Sequence, residues 1–328
     1  MQRLVILAPN WLGDAVMALP AAADVRRASP GVTLAVAARP AIAPLFQMVP
    51  GVDEVLILDG GRSRWQEAAA QLRAGSFDAA FLFPNSFASA LASSRAGIAE
   101  RWGYRTDWRG LLLTRAPAAP GGVHQVEYYQ RLARELGFPS GSSVPAIPVP
   151  AETRARGADA LSRAGWNGRA PLVALAPGAA YGGAKRWPPQ YFAELAEALA
   201  ADGVVSVMVG SAADKGTGSE VEAATSSRLL NLMGSTDLQT LAGVFAHCRT
   251  LVTNDSGAMH LGAAVGVPIT AVFGPTRDRE TRPLGAAHAV LTHDVWCRPC
   301  MLRECPIDHR CMTGIDAAAV LAAARRVL

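Results

Sequence analysis

The sequence predicts an α/β protein built from two doubly wound domains, each with a parallel sheet. Short apolar runs alternate with amphipathic segments, the alternation stops at one Pro/Gly/Ser-rich passage, and it then begins again. The length of 328 residues also exceeds what one ordinary hydrophobic core contains. We therefore expect a domain over residues 1–150 and a second over 151–328.

Four apolar runs predict the strands of the first domain: RLVILA, VTLAVAA, EVLILD and DAAFLF. Helical patterns begin between them near Gly13, Pro40, Arg64 and Ser86. Because strands and helices alternate, the sheet should be parallel. A helix containing VEYYQRLAREL follows, and the passage GFPSGSSVPAIPVPAE at 137–152 predicts the linker.

The alternation restarts after the linker and predicts a second Rossmann-like domain. Its strands are PLVALA, VVSVMVG, RLLNL, RTLVT and PITAVFG, and its helices begin near Pro188, Asp214, Asp237 and Gly257. Open parallel sheets bind ligands at the carboxyl ends of their strands. Two such domains in tandem therefore predict ligand binding in a cleft between the domains.

Composition narrows the function classes. The net charge of +4 suits an anionic small substrate or a lipid surface and is too small to argue for nucleic acid. No apolar run reaches the roughly 18 residues of a membrane span, and MQRLVILAP is too short for a signal peptide, so we expect a cytoplasmic protein. Neither a Walker A pattern nor a strand followed by G-x-G-x-x-G is present, which disfavours ATPases and simple dehydrogenases.

Three loops follow predicted strands and carry the candidate chemistry: APNWLGDA, APGAAYGGAKRWP and TNDSGAMH. Asp14 lies in the first turn of a helix, where the macrodipole favours the ionised carboxylate, and such a group can take a proton from an attacking hydroxyl. The small residues around Tyr181 allow backbone amides to approach an anion, and Lys185 supplies a charge for phosphate. A flexible loop with two solvated cations is the alternative.

The third loop places Asp255 and Ser256 at a helix start, where capping alone can explain them. Ser256, Gly257 and His260 could also face a diphosphate at that helix start.

Four of the five cysteines lie in CRPCMLRECPIDHRC, namely Cys297, Cys300, Cys305 and Cys311. This clustering suggests either a zinc module for a protein or nucleic-acid partner, or a compact structural loop of thiols. Cys248 is expected to lie in the core.

The chain resembles the lipopolysaccharide heptosyltransferases of glycosyltransferase family 9, and among them the type II branch. The resemblance rests on six motifs in order: NWLGDAVMALP, LFPNSFASALASSRAGI, RWGYRTDWRGLLL, PGAAYGGAKRWP, TNDSGAMHLGAA and CRPCMLRECPIDHRCM. It implies a GT-B fold whose first domain binds the lipid-linked inner-core acceptor and whose second domain binds ADP-L-glycero-β-D-manno-heptose. It also implies an inverting transfer to the first inner-core heptose without a required metal or cofactor.

The resemblance also implies roles for single residues. Asp14 falls on the family's proposed general base, Lys185 on the lysine that contacts the donor diphosphate, and Asp255, Ser256, Gly257 and His260 on its donor-binding loop. Asp214 would either bind donor hydroxyls or cap its helix.

Residues 95–115 contain only two acids, Glu100 and Asp107, but five arginines, namely Arg95, Arg101, Arg105, Arg109 and Arg115. Of these, Arg105 and Arg109 are expected to meet acceptor phosphates or carboxylates, or the anionic inner surface of the membrane. Type I enzymes have hydroxyl residues where this chain has Ala180 and Tyr181. Type I activity and a non-catalytic ADP-sugar binding protein stay open as alternatives.

Overall fold

The computed structural model describes residues 1–58, 64–285 and 287–328, without the side chain of Arg64. The chain divides into two compact units, Met1–Pro148 and Val149–Leu328. The division falls next to the domain boundary expected at residue 150.

The first unit has a parallel sheet whose strands are β1 Arg3–Leu7, β2 Thr33–Ala38, β3 Glu54–Ile57, β4 Ala79–Leu82 and β5 Glu100–Trp102. The strand order is β3-β2-β1-β4-β5, so the first strand lies in the middle. The helices are α1 Leu12–Met17, α2 Leu19–Ala28, α3 Ala43–Phe46, α4 Arg64–Ala74, α5 Phe87–Arg95 and α6 Gln125–Glu135, with a 3-10 turn at Arg109–Leu112.

The second unit has a parallel sheet whose strands are β6 Leu172–Ala176, β7 Val205–Met208, β8 Leu230–Asn231, β9 Thr250–Asn254, β10 Ile269–Phe273 and β11 His288–Thr292, in the order β11-β10-β9-β6-β7-β8. The helices are α7 Ala151–Arg163, α8 Pro189–Ala201, α9 Lys215–Ala223, α10 Leu238–Phe245, α11 Gly257–Val265, α12 Asp278–Thr281, α13 Arg310–Thr313 and α14 Ala317–Arg325. Short 3-10 turns lie at Gly183–Lys185 and Ala212–Asp214.

The central strands are buried along almost their whole length, because helices cover both faces of each sheet. This burial explains why they are continuous apolar runs in the sequence. Every strand predicted above is present. The structure adds β5 and β11, which are short or half-exposed strands at sheet edges and therefore lack a strong apolar signal. None of the helices that the structure describes has the length and apolarity needed to cross a membrane.

Helices α7 and α10 pack through two glycines that face each other. A Cβ atom at Gly157 would lie less than 3.0 Å from the backbone of Gly243, and a Cβ atom at Gly243 would overlap the carbonyl oxygen of Thr153. Backbone atoms cannot move aside as a flexible side chain can. The close approach of the two helices therefore requires both glycines.

We expect Gly157→Ala to lower the free energy of unfolding by about 3 kcal/mol, because the methyl group forces the two helices apart. Gly216→Ala is the matched control, since Gly216 is also helical but has no atom within 4 Å of a built Cβ. The control should be neutral or stabilising by about 0.5 kcal/mol. Urea denaturation of both variants measures the difference, and equal stabilities would contradict this account of the packing.

Candidate active site

The candidate site residues follow strands at the centre of each sheet. Strands β6 and β9 are neighbours in the second unit, and β1 and β4 are neighbours in the first. The strand order reverses there, which makes room for ligands at the carboxyl ends of the strands. In the second unit this edge carries the Lys185 loop, residues 177–187, after β6 and the Asp255 loop, residues 254–257, after β9.

Lys185 and Asp255 form the central contact of the second unit. The Lys185 Nζ atom lies 2.5 Å from Oδ2 of Asp255, and the Thr276 hydroxyl donates to the same oxygen at 2.7 Å. The lysine side chain is 14% exposed and that of the aspartate 7%, so water screens the pair only weakly. The lysine that was predicted to bind phosphate is therefore fixed in place rather than free in solvent.

Asn254 fixes the backbone of the Lys185 loop. Its Oδ1 accepts a hydrogen bond from the Trp187 N–H at 3.0 Å, and its Nδ2 donates to the carbonyl oxygens of Pro177 at 2.7 Å and Gly178 at 3.3 Å. One buried side chain thus ties both ends of the loop to the end of β9. These contacts argue against the alternative of a flexible loop.

Ser256 caps helix α11, which begins at Gly257. The Ser256 Oγ accepts from the Met259 N–H at 3.5 Å and lies 3.2 Å from the hydroxyl of Thr253. His260 is buried one turn into the helix. The loop therefore does cap the helix, and its donor-binding role stays a prediction.

Asp214 has the contacts of a helix cap. Its Oδ2 accepts from the Ser211 N–H at 2.9 Å and from the Ser211 hydroxyl at 2.6 Å, which forms a capping box. The carboxylate also lies against the Cα of Gly178, where any Cβ atom would collide with it. These contacts favour capping over binding of donor hydroxyls and make Asp214 a support for the Lys185 loop.

Asp14 lies in the first turn of α1, directly after the central strand of the first unit, and its residue is half-buried. Burial raises the pKa of the neighbouring Tyr129 phenol well above its ordinary value, and the negative charge of Asp14 raises this pKa further. Tyr129 therefore stays neutral at physiological pH and adds no second anion beside Asp14.

Arg109 corrects the expectation of a direct acceptor contact. The residue is fully buried, and its guanidinium donates to the carbonyl oxygens of Pro84 and Tyr104, to the Ser89 hydroxyl and to the Asn85 amide oxygen. Burial lowers the pKa of Arg109 to about 10. The side chain holds the loop after β4 against the chain near Tyr104 and therefore has a structural role.

The other predicted acceptor residue, Arg105, is exposed and forms no ion pair within the described part of the chain. Arg101, by contrast, donates to backbone carbonyl oxygens, and Arg115 lies over the Trp102 ring. Arg105 is thus an arginine near this turn that is available to an anionic ligand.

The cysteine segment, residues 297–311, carries free thiols. Burial, and then the nearby Cys297, Cys300 and Cys305, raise the pKa of the Cys311 thiol, which packs in the core of the second unit. No three His, Cys, Asp or Glu side chains in residues 1–58, 64–285 and 287–328 are grouped as a metal site requires. The arrangement therefore does not support the zinc interpretation. Burial also raises the pKa of Cys248, as expected of a core thiol.

Sequence reasoning missed Thr276 and the tying role of Asn254. Asn254 had a signal, because it ends β9, the neighbour of the strand that precedes the Lys185 loop. Thr276 follows β10, which lies on the other side of β9. The sequence also does not predict the contact of Tyr181 with Lys185, whose Nζ lies 4.9 Å from the centre of the Tyr181 ring.

Comparison with known proteins agrees with this geometry. A family model described as glycosyltransferase family 9 (heptosyltransferase) matches residues 65–310. Lipopolysaccharide heptosyltransferase 2 of Salmonella typhimurium is 32% identical over 297 residues, which are 86% of this chain and 85% of that protein. Lipopolysaccharide heptosyltransferase 1 of Pseudomonas aeruginosa is 26% identical over 321 residues, 92% of this chain and 87% of that protein.

Among solved structures, E. coli ADP-heptose LPS heptosyltransferase II superposes with a TM-score of 0.85 at 30% identity, covering 100% of this chain and 98% of the other. The predicted GT-B fold is confirmed by this match. The chain is a glycosyltransferase and belongs to glycosyltransferase family 9, the heptosyltransferase family.

Proposed function

We propose that this chain is a type II lipopolysaccharide heptosyltransferase, which moves L-glycero-D-manno-heptose from ADP-heptose to the first heptose of the inner core. The observation that carries the proposal is the whole-length match to heptosyltransferase II, at higher identity than the match to a type 1 enzyme. The buried pair of Lys185 and Asp255 supports it, because it lies where a parallel sheet binds a nucleotide.

The second unit binds the donor in this proposal. Lys185 and the backbone amides of Ser256 and Gly257 bind the diphosphate, and His260 lies one turn further along α11. A helix start and an ammonium group both stabilise the negative charge that develops on departing ADP. These groups serve the leaving group without a metal ion.

Asp14 is the general base. The acceptor hydroxyl oxygen attacks the anomeric carbon of the heptose while the bond from that carbon to the β-phosphate oxygen breaks. ADP leaves with the bonding electron pair, and Asp14 takes the hydroxyl proton. Attack opposite to the leaving group inverts the anomeric centre.

The acceptor and a membrane surface are assigned to the first unit, at the cytoplasmic face of the inner membrane. The Trp108 turn, residues 105–112, exposes 95% of Trp108 and 99% of Leu111 beside the unpaired Arg105. Asp107 and Trp108 have φ values of 48° and 57°, in the left-handed region that costs non-glycine residues about 1–3 kcal/mol each. The carboxylate of Asp107 accepts the Phe87 N–H at 2.6 Å and holds this backbone. A turn held this firmly with apolar tips and a cation suits an anionic lipid surface.

The test of the transfer is ADP release with ADP-heptose and Kdo2-lipid A acceptors that carry or lack one heptose. We expect turnover only on the heptose-bearing acceptor. Asp14→Asn should lower kcat by about 10²–10⁴-fold, because the variant cannot take the proton, while ADP binding stays unchanged.

Three other outcomes of that assay would reject parts of the proposal. Turnover on the acceptor without heptose assigns type I activity, and ADP binding without turnover on either acceptor indicates a non-catalytic binding protein. If Asp14→Asn keeps full activity and loses about 0.3–1 kcal/mol of stability, Asp14 only stabilises the start of its helix and is not the general base.

We expect Lys185→Met to lower kcat/KM for ADP-heptose by about 10²–10³-fold. The variant should also lose about 3–5 kcal/mol of stability, because Asp255 is left buried without its cation. The matched double variant Lys185→Met/Asp255→Asn should recover much of the stability but none of the activity. Steady-state kinetics and urea denaturation measure both effects, and a double variant with restored activity would remove Lys185 from donor binding.

Membrane contact is tested by co-sedimentation with phosphatidylglycerol/phosphatidylethanolamine vesicles. Trp108→Ser/Leu111→Ser should lower the vesicle partition coefficient by at least about 10-fold, because full burial of a large apolar side chain contributes roughly 1.5–3 kcal/mol. Trp296→Ser is the control, since Trp296 is 78% exposed but belongs to the second unit. Equal losses in the two proteins would contradict a specific role of the Trp108 turn.

A further inference from the structure

The cysteine segment is bound to the Lys185 loop through its backbone. The Ala184 N–H donates to the Arg303 carbonyl oxygen at 2.9 Å, and the Tyr181 hydroxyl donates to the Met301 carbonyl oxygen at 2.8 Å. The segment passes so close that any Cβ atom at Gly182 would collide with the carbonyl group of Arg303. His309 adds a contact of 2.7 Å between its Nε2 and the Ala184 carbonyl oxygen. The segment therefore packs along one side of the Lys185 loop.

This docking brings two cations to one aromatic ring. Lys185 Nζ lies 4.9 Å from the centre of the Tyr181 ring, and the guanidinium carbon of Arg303 lies 5.3 Å from the same centre. Both contacts are cation–π interactions, which hold a cation over a ring without neutralising its charge. Tyr181 is therefore a shared contact of Lys185 and Arg303.

The two cations differ in their ionic partners. Lys185 is balanced by Asp255, whereas the Arg303 guanidinium has neither an ion pair nor a hydrogen bond among the described residues. The other arginines of the cysteine segment are both neutralised, Arg298 by Asp278 and Arg310 by Asp308. Arg303 thus supplies an uncompensated positive charge at this end of the Lys185 loop.

We propose that Arg303 binds the diphosphate of the nucleotide donor together with Lys185, and that the cysteine segment serves to present it. A diphosphate brings more negative charge than the balanced Lys185 can offset, and a guanidinium can bind two phosphate oxygens at once. The exposed side chain can reach a ligand while Tyr181 limits its freedom. This inference rests on the proposed donor site and adds a residue to it.

A substitution at Glu304 allows a test in which the expected change in ADP affinity is opposite to that of Arg303→Ala. Its Oε1 accepts from the Gly183 N–H at 2.9 Å, so a carboxylate lies beside the amides of the Lys185 loop. Glu304→Gln keeps an oxygen acceptor for this amide but removes the negative charge. If charge governs ADP binding here, Glu304→Gln and Arg303→Ala must change the affinity in opposite directions.

The experiment is isothermal titration calorimetry of the purified full chain with ADP and with AMP, without acceptor. Arg303→Ala should weaken ADP binding about 10-fold and AMP binding much less, because AMP lacks the second phosphate. Arg303→Lys should be intermediate, and Tyr181→Leu should weaken ADP binding more than Tyr181→Phe, which keeps the ring. Arg310→Ala, on the same segment but paired with Asp308, is the matched control and should bind ADP like the wild type.

Each contrary result overturns a distinct claim. Unchanged ADP affinity of Arg303→Ala, or an equal loss for ADP and AMP, overturns the phosphate contact while leaving the proposed transfer intact. Changes of the same sign in Arg303→Ala and Glu304→Gln overturn its electrostatic basis. A wild-type protein that binds no ADP overturns the proposed function and this inference together.

Discussion

The reversal of strand order between β6 and β9 is the constraint on which the candidate donor site depends. It places the ends of two strands side by side, so that loops 70 residues apart in the chain share one edge of the sheet. Asn254 and Asp255, adjacent in sequence, then reach the Lys185 loop in two ways: the amide fixes its backbone and the carboxylate fixes its lysine. Neither contact could form if another strand separated β6 from β9.

The features that could be predicted from the sequence are those with a local cause. Central strands are apolar because both faces are covered, and the loops after them carry polar residues because they lie at the ligand edge. Strand β11 and residue Thr276 escaped notice for a different reason. Their roles arise from neighbours across the sheet, and a half-exposed edge strand or a single hydroxyl has no periodic signal of its own.

The two arginines predicted to bind the acceptor show most clearly what the sequence could not predict. Arg105 and Arg109 look alike in the sequence, yet one is exposed and the other is buried with hydrogen bonds to neutral oxygens. The clustering of the cysteines likewise predicted either a zinc module or a structural loop of thiols. In the fold, the segment contacts the Lys185 loop through backbone carbonyl oxygens and through the side chains of Arg303, Glu304 and His309. No spacing rule marks these contacts in the sequence.

The pairing of Lys185 with Asp255 does not compete with its proposed use by the donor. An ammonium group has three hydrogen-bond donors, and Asp255 takes one of them through an oxygen that Thr276 also holds. The carboxylate thus keeps the lysine extended and in place, so phosphate binding would not first require a long flexible side chain to be ordered. The same pairing cancels most of the lysine charge. A site built this way gains orientation but needs a further cation for affinity, which is why an unpaired arginine on the same aromatic ring is significant.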